Sequence, residues 1–217
     1  MNVKSTNLGQ ISTIVWNGKD VQTGIYKKPV MHSIFLGEND VSKDNVIDRK
    51  HHGGKDKACY IFSVEHYNYW KKIYPELDWD WGMFGENLTV SGLDEANLFI
   101  GDILKVGEAV VQVSQPRQPC FKLGVRFGNQ AIVKQFVKYG YSGAYLRIIE
   151  KGNVNTGDKL EIIQKQNHQF SVQKIFNLLY TSQMPDKKVI DNILKLDTLA
   201  ESCKKDLLKH FNASLPG

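Results

Sequence analysis

The change of hydrophobic period near residue 164 constrains this chain most. Before it, short apolar runs are separated by glycine, proline and asparagine, the pattern of strands and turns. After it no strand signal remains, and apolar residues recur at helical spacing. Val172, Ile175, Phe176 and Leu179 form one stripe. Pro185 suits the first turn of a second helix, with Val189, Ile190, Ile193 and Leu194 on its face. Thr198 followed by Glu201 is a capping-box pattern. It opens a third helix carrying Leu199, Cys203, Leu207 and Phe211. The pattern predicts an α+β protein: a strand-rich domain over residues 1–163, a linker over 164–170 and a three-helix domain over 171–217.

Within the first part, Asn17-Gly18 predicts a hairpin turn between strands lying in residues 9–30. Ser33 to Leu36 is a further short run, and Ala58 to Phe62 reads as a buried strand. Ser63 is placed to cap a helix reaching Tyr74, with Tyr67, Trp70 and Tyr74 on one face. Glu65 and His66 are expected as a surface pair on that helix. Trp79 and Trp81 mark a packing loop. Ile100-Gly101-Asp102 and Thr156-Gly157-Asp158 read as turns opening strands. Residues 128–139 carry helical spacing ended by Gly140. Ala144 to Ile149 and Lys159 to Ile163 read as strands, and Lys151-Gly152-Asn153 as a turn.

Chemistry concentrates in Gln115-Pro116-Arg117-Gln118-Pro119-Cys120-Phe121-Lys122-Leu123. A strand-like run leads into it, and the two prolines remove backbone donors and fix φ, making a rigid turn. The turn presents one cysteine between an arginine and a lysine. Nearby cations favour a thiolate, which is both a nucleophile and a soft-metal ligand. A buried structural thiol is the commonest fate of a lone cysteine, but the prolines and cations argue for a site. Upstream, Arg49, Lys50, His51 and His52 stand beside Gly53 and Gly54, glycines that let a backbone approach a ligand closely. Phe84-Gly85-Glu86-Asn87-Leu88 reads equally as a pocket edge or as a plain turn.

Composition narrows the class. The three cysteines, Cys59, Cys120 and Cys203, are too sparse for a disulfide framework. Residues 1–5 lack the apolar run of a signal peptide, and no stretch reaches transmembrane length. A reduced, cytoplasmic protein without a membrane partner is expected. The net charge of +5 suits an anionic ligand. It falls short of the basic stripe of a nucleic-acid binder, so stable nucleic-acid binding is not expected.

In order and spacing, the segments Asp48 to Gly54, Phe84 to Leu88, Ile100 to Asp102 and Gln115 to Leu123 resemble the MOSC domain. The three closing helices are similar to those of its YiiM subgroup. The resemblance implies a β-barrel-like domain that binds a molybdenum cofactor, a pterin dithiolene bearing a phosphate. It implies that Cys120 ligates molybdenum and that Arg49, Lys50, His51, His52, Asn87, Arg117 and Lys122 lie in the cofactor pocket. It further implies reduction of N-hydroxylated compounds, notably N-hydroxylated purine bases, to amines. An outside reductase would supply electrons, since no flavin, NAD or iron–sulfur motif is visible. His51 or His52 would supply protons near neutral pH. Pyridoxal phosphate belongs to the aminotransferase-like part of the larger molybdenum-cofactor sulfurases, which is absent here, and is not expected.

Other readings of the same residues stay open. Cys120 could carry a persulfide, making the protein a sulfur carrier or a cofactor-binding module without turnover. With His51 and His52 it could serve a zinc- or thiol-dependent hydrolase. The helical end could hold two chains together as a homodimer or receive the electron donor.

Overall fold

Short apolar runs bounded by glycine and proline become twelve strands. These are β1 (Asn2–Gly9), β2 (Ser12–Trp16), β3 (Lys19–Thr23), β4 (Lys27–Pro29), β5 (Ile34–Leu36), β6 (Cys59–Ser63), β7 (Leu88–Ser91), β8 (Ile103–Val106), β9 (Ala109–Pro116), β10 (Ala144–Glu150), β11 (Gly152–Val154) and β12 (Leu160–Gln164). The computed structural model describes every residue except 46, 48–52, 184 and 214–217. Eight strands form one sheet in the order β12-β8-β9-β10-β6-β7-β1-β4. All its pairs are antiparallel except β6 with β7. The sheet curls so that the β12 end reaches the start of β1, where Val3 N–H donates to Asp158 O at 2.9 Å and Leu160 N–H to Met1 O at 3.0 Å. Among the described residues this junction is a short run of bonds rather than a full ladder, so the sheet is barrel-like without a closed ladder.

The parallel β6–β7 pair needs a crossover, and α1 (Val64–Ile73) supplies it. β6 is buried along its whole length because both its faces are covered. Cys59 and Ile61 join the barrel interior. Tyr60 and Phe62 face a second, aromatic cluster with Tyr67 and Trp70 of α1 and with Phe84 and Phe136. Trp70 is fully buried there, and truncating such a ring costs about 3–5 kcal/mol. α2 (Phe121–Arg126) and α3 (Ala131–Tyr139) cover the rest of this cluster.

The remaining helices are α4 (Val172–Leu178), α5 (Lys187–Leu194) and α6 (Glu201–Ala213). Their stripes, including Ile175, Ile193, Cys203 and Leu207, share one apolar cluster with the barrel interior. The change of period at residue 164 therefore marks a change of secondary structure, not a break in the core. Residues 164–170 are held to the barrel: Gln166 N–H donates to Asp102 Oδ1 at 2.7 Å, and His168 Nε2 lies 2.9 Å from Ile100 O.

Several local expectations change. Asn17 and Gly18 make the hairpin turn with φ of 50° and 71°, but β2 and β3 pair only with each other. Ser63 precedes α1 as expected, yet its hydroxyl donates to Glu65 and caps no backbone N–H. His66 is not on the surface: it is buried, with Nδ1 3.0 Å from the Tyr139 hydroxyl and Nε2 3.4 Å from the buried Glu95. Gly152 and Asn153 belong to β11, which pairs with β5. α2 was not legible because a glycine, Gly124, sits within it; that glycine lies against the Gln130 side chain. α6 begins at Glu201, three residues beyond Thr198, and Glu201 pairs with Lys204.

Candidate functional site

β9 carries the chain into the proline turn and ends its ladder at Pro116, opposite Ala144 of β10. Arg117, Gln118 and Pro119 follow, and Cys120 stands in extended conformation (φ −133°, ψ 174°) as the residue before α2. Leu123 N–H donates to Cys120 O at 2.9 Å, which fixes the chain reversal. From the other side, the turn is tied to the C-terminal helix. Gln118 Nε2 donates to Asp206 Oδ2 at 3.0 Å, and Ser202 Oγ donates to Gln115 Oε1 at 3.0 Å. At the tip of the β2–β3 hairpin, Trp16 stacks on Phe121, the neighbour of Cys120, with ring centroids 4.7 Å apart.

Cys120 opens on a cleft that is open to solvent. The turn contributes Arg117, Cys120 and Lys122. β6 and β10 contribute Tyr60 and Tyr145. The β3–β4 region contributes Thr23, Gly24, Ile25 and Lys27. Asp44, Asn45, Phe84, Gly85 and Asn87 complete the floor, with Lys57 and Ala58 at one end.

The floor is a buried polar network whose members satisfy one another. Asp44 accepts from Gly9 N–H at 2.8 Å and from Asn87 Nδ2 at 2.9 Å, and it pairs with the Lys27 ammonium. Asn87 Oδ1 accepts from Tyr60 N–H at 3.2 Å. Glu86, next in sequence to Asn87, points away and serves the turn before β7. It accepts from Gly82 N–H at 3.0 Å, Phe84 N–H at 3.1 Å and Thr89 Oγ1 at 2.8 Å, and from the Tyr67 hydroxyl. Burial pushes the Glu86 carboxyl above its ordinary range, against the opposing pull of these donors.

The wall differs. Arg117 is 5% exposed, and its Nη1 has no hydrogen-bond partner. Its guanidinium lies over aromatic faces instead, 5.8 Å from the Tyr60 centroid and 5.3 Å from that of Phe136. Such contacts are worth about 0.5–2 kcal/mol, whereas a buried polar group left unpaired costs about 1–3 kcal/mol. A guanidinium is the side chain best suited to pair with a carboxylate or phosphate. Burial pushes the Tyr145 phenol up to about 12, assisted by Cys120 and Asp44 and opposed by Arg117. The other two cysteines contrast with Cys120. Cys59 and Cys203 are fully buried, which raises both thiols, Cys203 to about 12.

Of the residues expected from the sequence, the fold brings Asn87, Arg117, Cys120 and Lys122 to one cleft. Gly53 and Gly54 do not line it. Gly54, at φ 88°, starts the 3-10 turn Lys55–Lys57, whose last residue does. Arg49, Lys50, His51 and His52 lie outside the described residues. Lys27, Asp44, Tyr60 and Tyr145 were not expected. The one available signal was the alternation along β10, which sets Tyr145 on the face opposite Ala144 and Leu146. Among the described residues, no group of three or more His, Cys, Asp or Glu is placed to hold a metal. A metal at Cys120 would take its other ligands from elsewhere. No helix among them is long and apolar enough to cross a membrane.

Comparison with known proteins agrees with this arrangement. The MOSC domain pattern matches residues 48–161. The chain is 38% identical over 215 residues to the uncharacterized protein YflK of Bacillus subtilis, covering 99% of this chain and 96% of that one. The crystal structure of YiiM from Geobacillus stearothermophilus superposes with a TM-score of 0.80 at 31% identity, covering 96% of this chain and 98% of that chain. A protein of Gibberella moniliformis named "Reductase" is 32% identical over 161 residues, 73% of this chain but 28% of that longer protein. These likenesses support a molybdenum-cofactor-associated function, and the chain belongs to the MOSC domain family.

Proposed function

We propose that this protein is a molybdenum-cofactor-dependent oxidoreductase that reduces N-hydroxylated compounds, such as N-hydroxylated purine bases, to amines. The observation that carries the reading is the buried Arg117 cation, without a hydrogen-bond partner at Nη1, in the same cleft as the Cys120 thiol. A soft thiolate and an anion-seeking guanidinium are the two groups a metal-bearing, phosphate-tailed cofactor needs. The donor set that lines the cleft therefore fits such a group.

In this reading Cys120 binds the metal. Arg117, with Lys122, holds the anionic portion, and Asn87 stiffens the floor. When bound, the group supplies a metal centre able to pass electrons in pairs. The chain's own contribution is to present the thiol on a rigid turn, to neutralise the ligand's charge and to keep Arg117 dry on the Tyr60 and Phe136 rings. Electrons come from a separate reductase. The relative named "Reductase" and the YiiM structure support the same reading. Its setting is cytoplasmic, where the three thiols stay reduced.

Elemental analysis of protein purified from its native host tests the proposal. Near-stoichiometric molybdenum in the wild type, lost in Cys120→Ala together with reduction of N-hydroxyadenine, is the expected result. Retained reduction by Cys120→Ala with native metal content would overturn it. A wild-type mass raised by one sulfur on Cys120, without molybdenum, would favour a sulfur carrier instead.

A further inference from the structure

Three side chains stand in a row across neighbouring strands, and two of them line the cleft. Register pairs Tyr60 of β6 with Tyr145 of β10, and Tyr145 with Gln115 of β9, so all three share a face. The outer two are occupied. The Tyr60 hydroxyl donates to Ser142 O at 2.7 Å, and Gln115 Oε1 accepts from Ser202. Tyr145 is different. Its ring rests on Tyr60, with centroids 5.3 Å apart, and lines the cleft beside Arg117 and Cys120. No hydrogen bond among the described residues engages its hydroxyl.

We propose that Tyr145 is the proton donor of the site, its hydroxyl meeting the N–OH oxygen of a substrate held beside Cys120. This rests on the reductase reading above and names the group that completes it. The reaction is R–NH–OH plus two electrons and two protons giving R–NH2 and water. The electrons come from the electron-donor protein, and nitrogen is reduced. As the N–O bond breaks, the Tyr145 proton passes to the departing oxygen. A second proton from solvent goes to nitrogen, and water reprotonates the tyrosinate. The phenol lines the same cleft as Arg117, whose positive charge stabilises the transient phenolate.

Tyr145→Phe keeps the ring on Tyr60 and removes only the donor. In molybdenum-loaded protein its kcat should fall by at least tenfold, general acids contributing about 10²–10⁴-fold. Binding gives a readout without turnover. Oxidised wild-type protein should prefer N-hydroxyadenine over adenine, and Tyr145→Phe should lose about tenfold of that preference, one hydrogen bond's worth. Tyr145→Gln restores a donor but not an acid, so it should recover the preference and stay slow. Should the Phe variant not fold, judged by melting and metal content, the Gln variant alone carries the test. A kcat loss below tenfold in the folded variant overturns the inference and leaves the reductase reading standing. Loaded wild-type protein that fails to reduce N-hydroxyadenine overturns both.

Discussion

The floor and the wall of one cleft use buried polar groups in opposite ways. On the floor, Asp44, Lys27, Asn87 and the main chain of Gly9 and Tyr60 satisfy one another. On the wall, Arg117 keeps a buried nitrogen without a hydrogen-bond partner. The burial is comparable, so the cost of desolvation is comparable, and only the floor recovers it within the chain. The floor spends its polar groups on the fold, and the wall keeps a donor open at Arg117. Removing floor residues should therefore lower stability, and removing wall residues should lower function.

The largest effect expected is at Cys120. Cys120→Ala should abolish N-hydroxyadenine reduction below detection. Its urea midpoint without metal should stay near the wild type, since the half-buried thiol fills no core position. A large stability loss would erase the contrast between wall and floor. On the floor, Asp44→Ala strands the buried Lys27 ammonium, whose side chain is 7% exposed. Breaking one partner of a buried pair costs about 3–5 kcal/mol, which urea unfolding of the metal-free protein would register. A loss under 1 kcal/mol, roughly the worth of an exposed pair, would show that the network is not structural.

Arg117→Met keeps the stem on Tyr60 and Phe136 but removes the buried cation. Cofactor occupancy should drop by about 10–100-fold, equivalent to roughly 1.5–3 kcal/mol for a lost charged hydrogen bond. The metal-free variant should hold its urea midpoint or gain, because the unpaired nitrogen no longer has to be desolvated. Reduced stability with unchanged molybdenum content would reassign Arg117 to the floor's role.

The smallest effect contrasts the site thiol with its buried counterparts. Burial raises Cys203 from 9.0 to about 12 in the folded chain. Between those values the unfolded thiol releases its proton and the folded one keeps it. The folded state then binds more protons, so stability must fall as pH rises from about 9 towards about 12. Urea unfolding at pH 8 and pH 10.5 should show this decline, and Cys203→Ala should reduce it, the buried Cys59 thiol supplying what remains. Iodoacetamide should label Cys120 in the native protein and leave Cys59 and Cys203 unlabelled until unfolding.

How much could be read without coordinates varied with the range of the interaction. The Asn17-Gly18 turn, the α1 face of Tyr67, Trp70 and Tyr74, and the Leu199, Cys203, Leu207 and Phe211 stripe were legible because each is local. Cys120 and Arg117 were legible because prolines and charges around one cysteine make an unusual local phrase. His66 was misplaced because its partner Glu95 is 29 residues away in the chain. Lys27 and Asp44 were invisible for the same reason, being joined only when β4 and the loop after β5 meet.

By itself the sequence determined the α+β class, the change to helices after residue 164 and the rigid cationic turn bearing Cys120. Side-chain periodicity and proline chemistry act over a few residues and need no tertiary context. The tertiary structure alone decided which polar groups are spent and which remain open. Whether Asn87 or Arg117 has a partner depends on strands from distant parts of the chain converging on one cleft. The same convergence set Tyr145 in a row whose two neighbours are engaged and, among the described residues, left its own hydroxyl without a hydrogen bond.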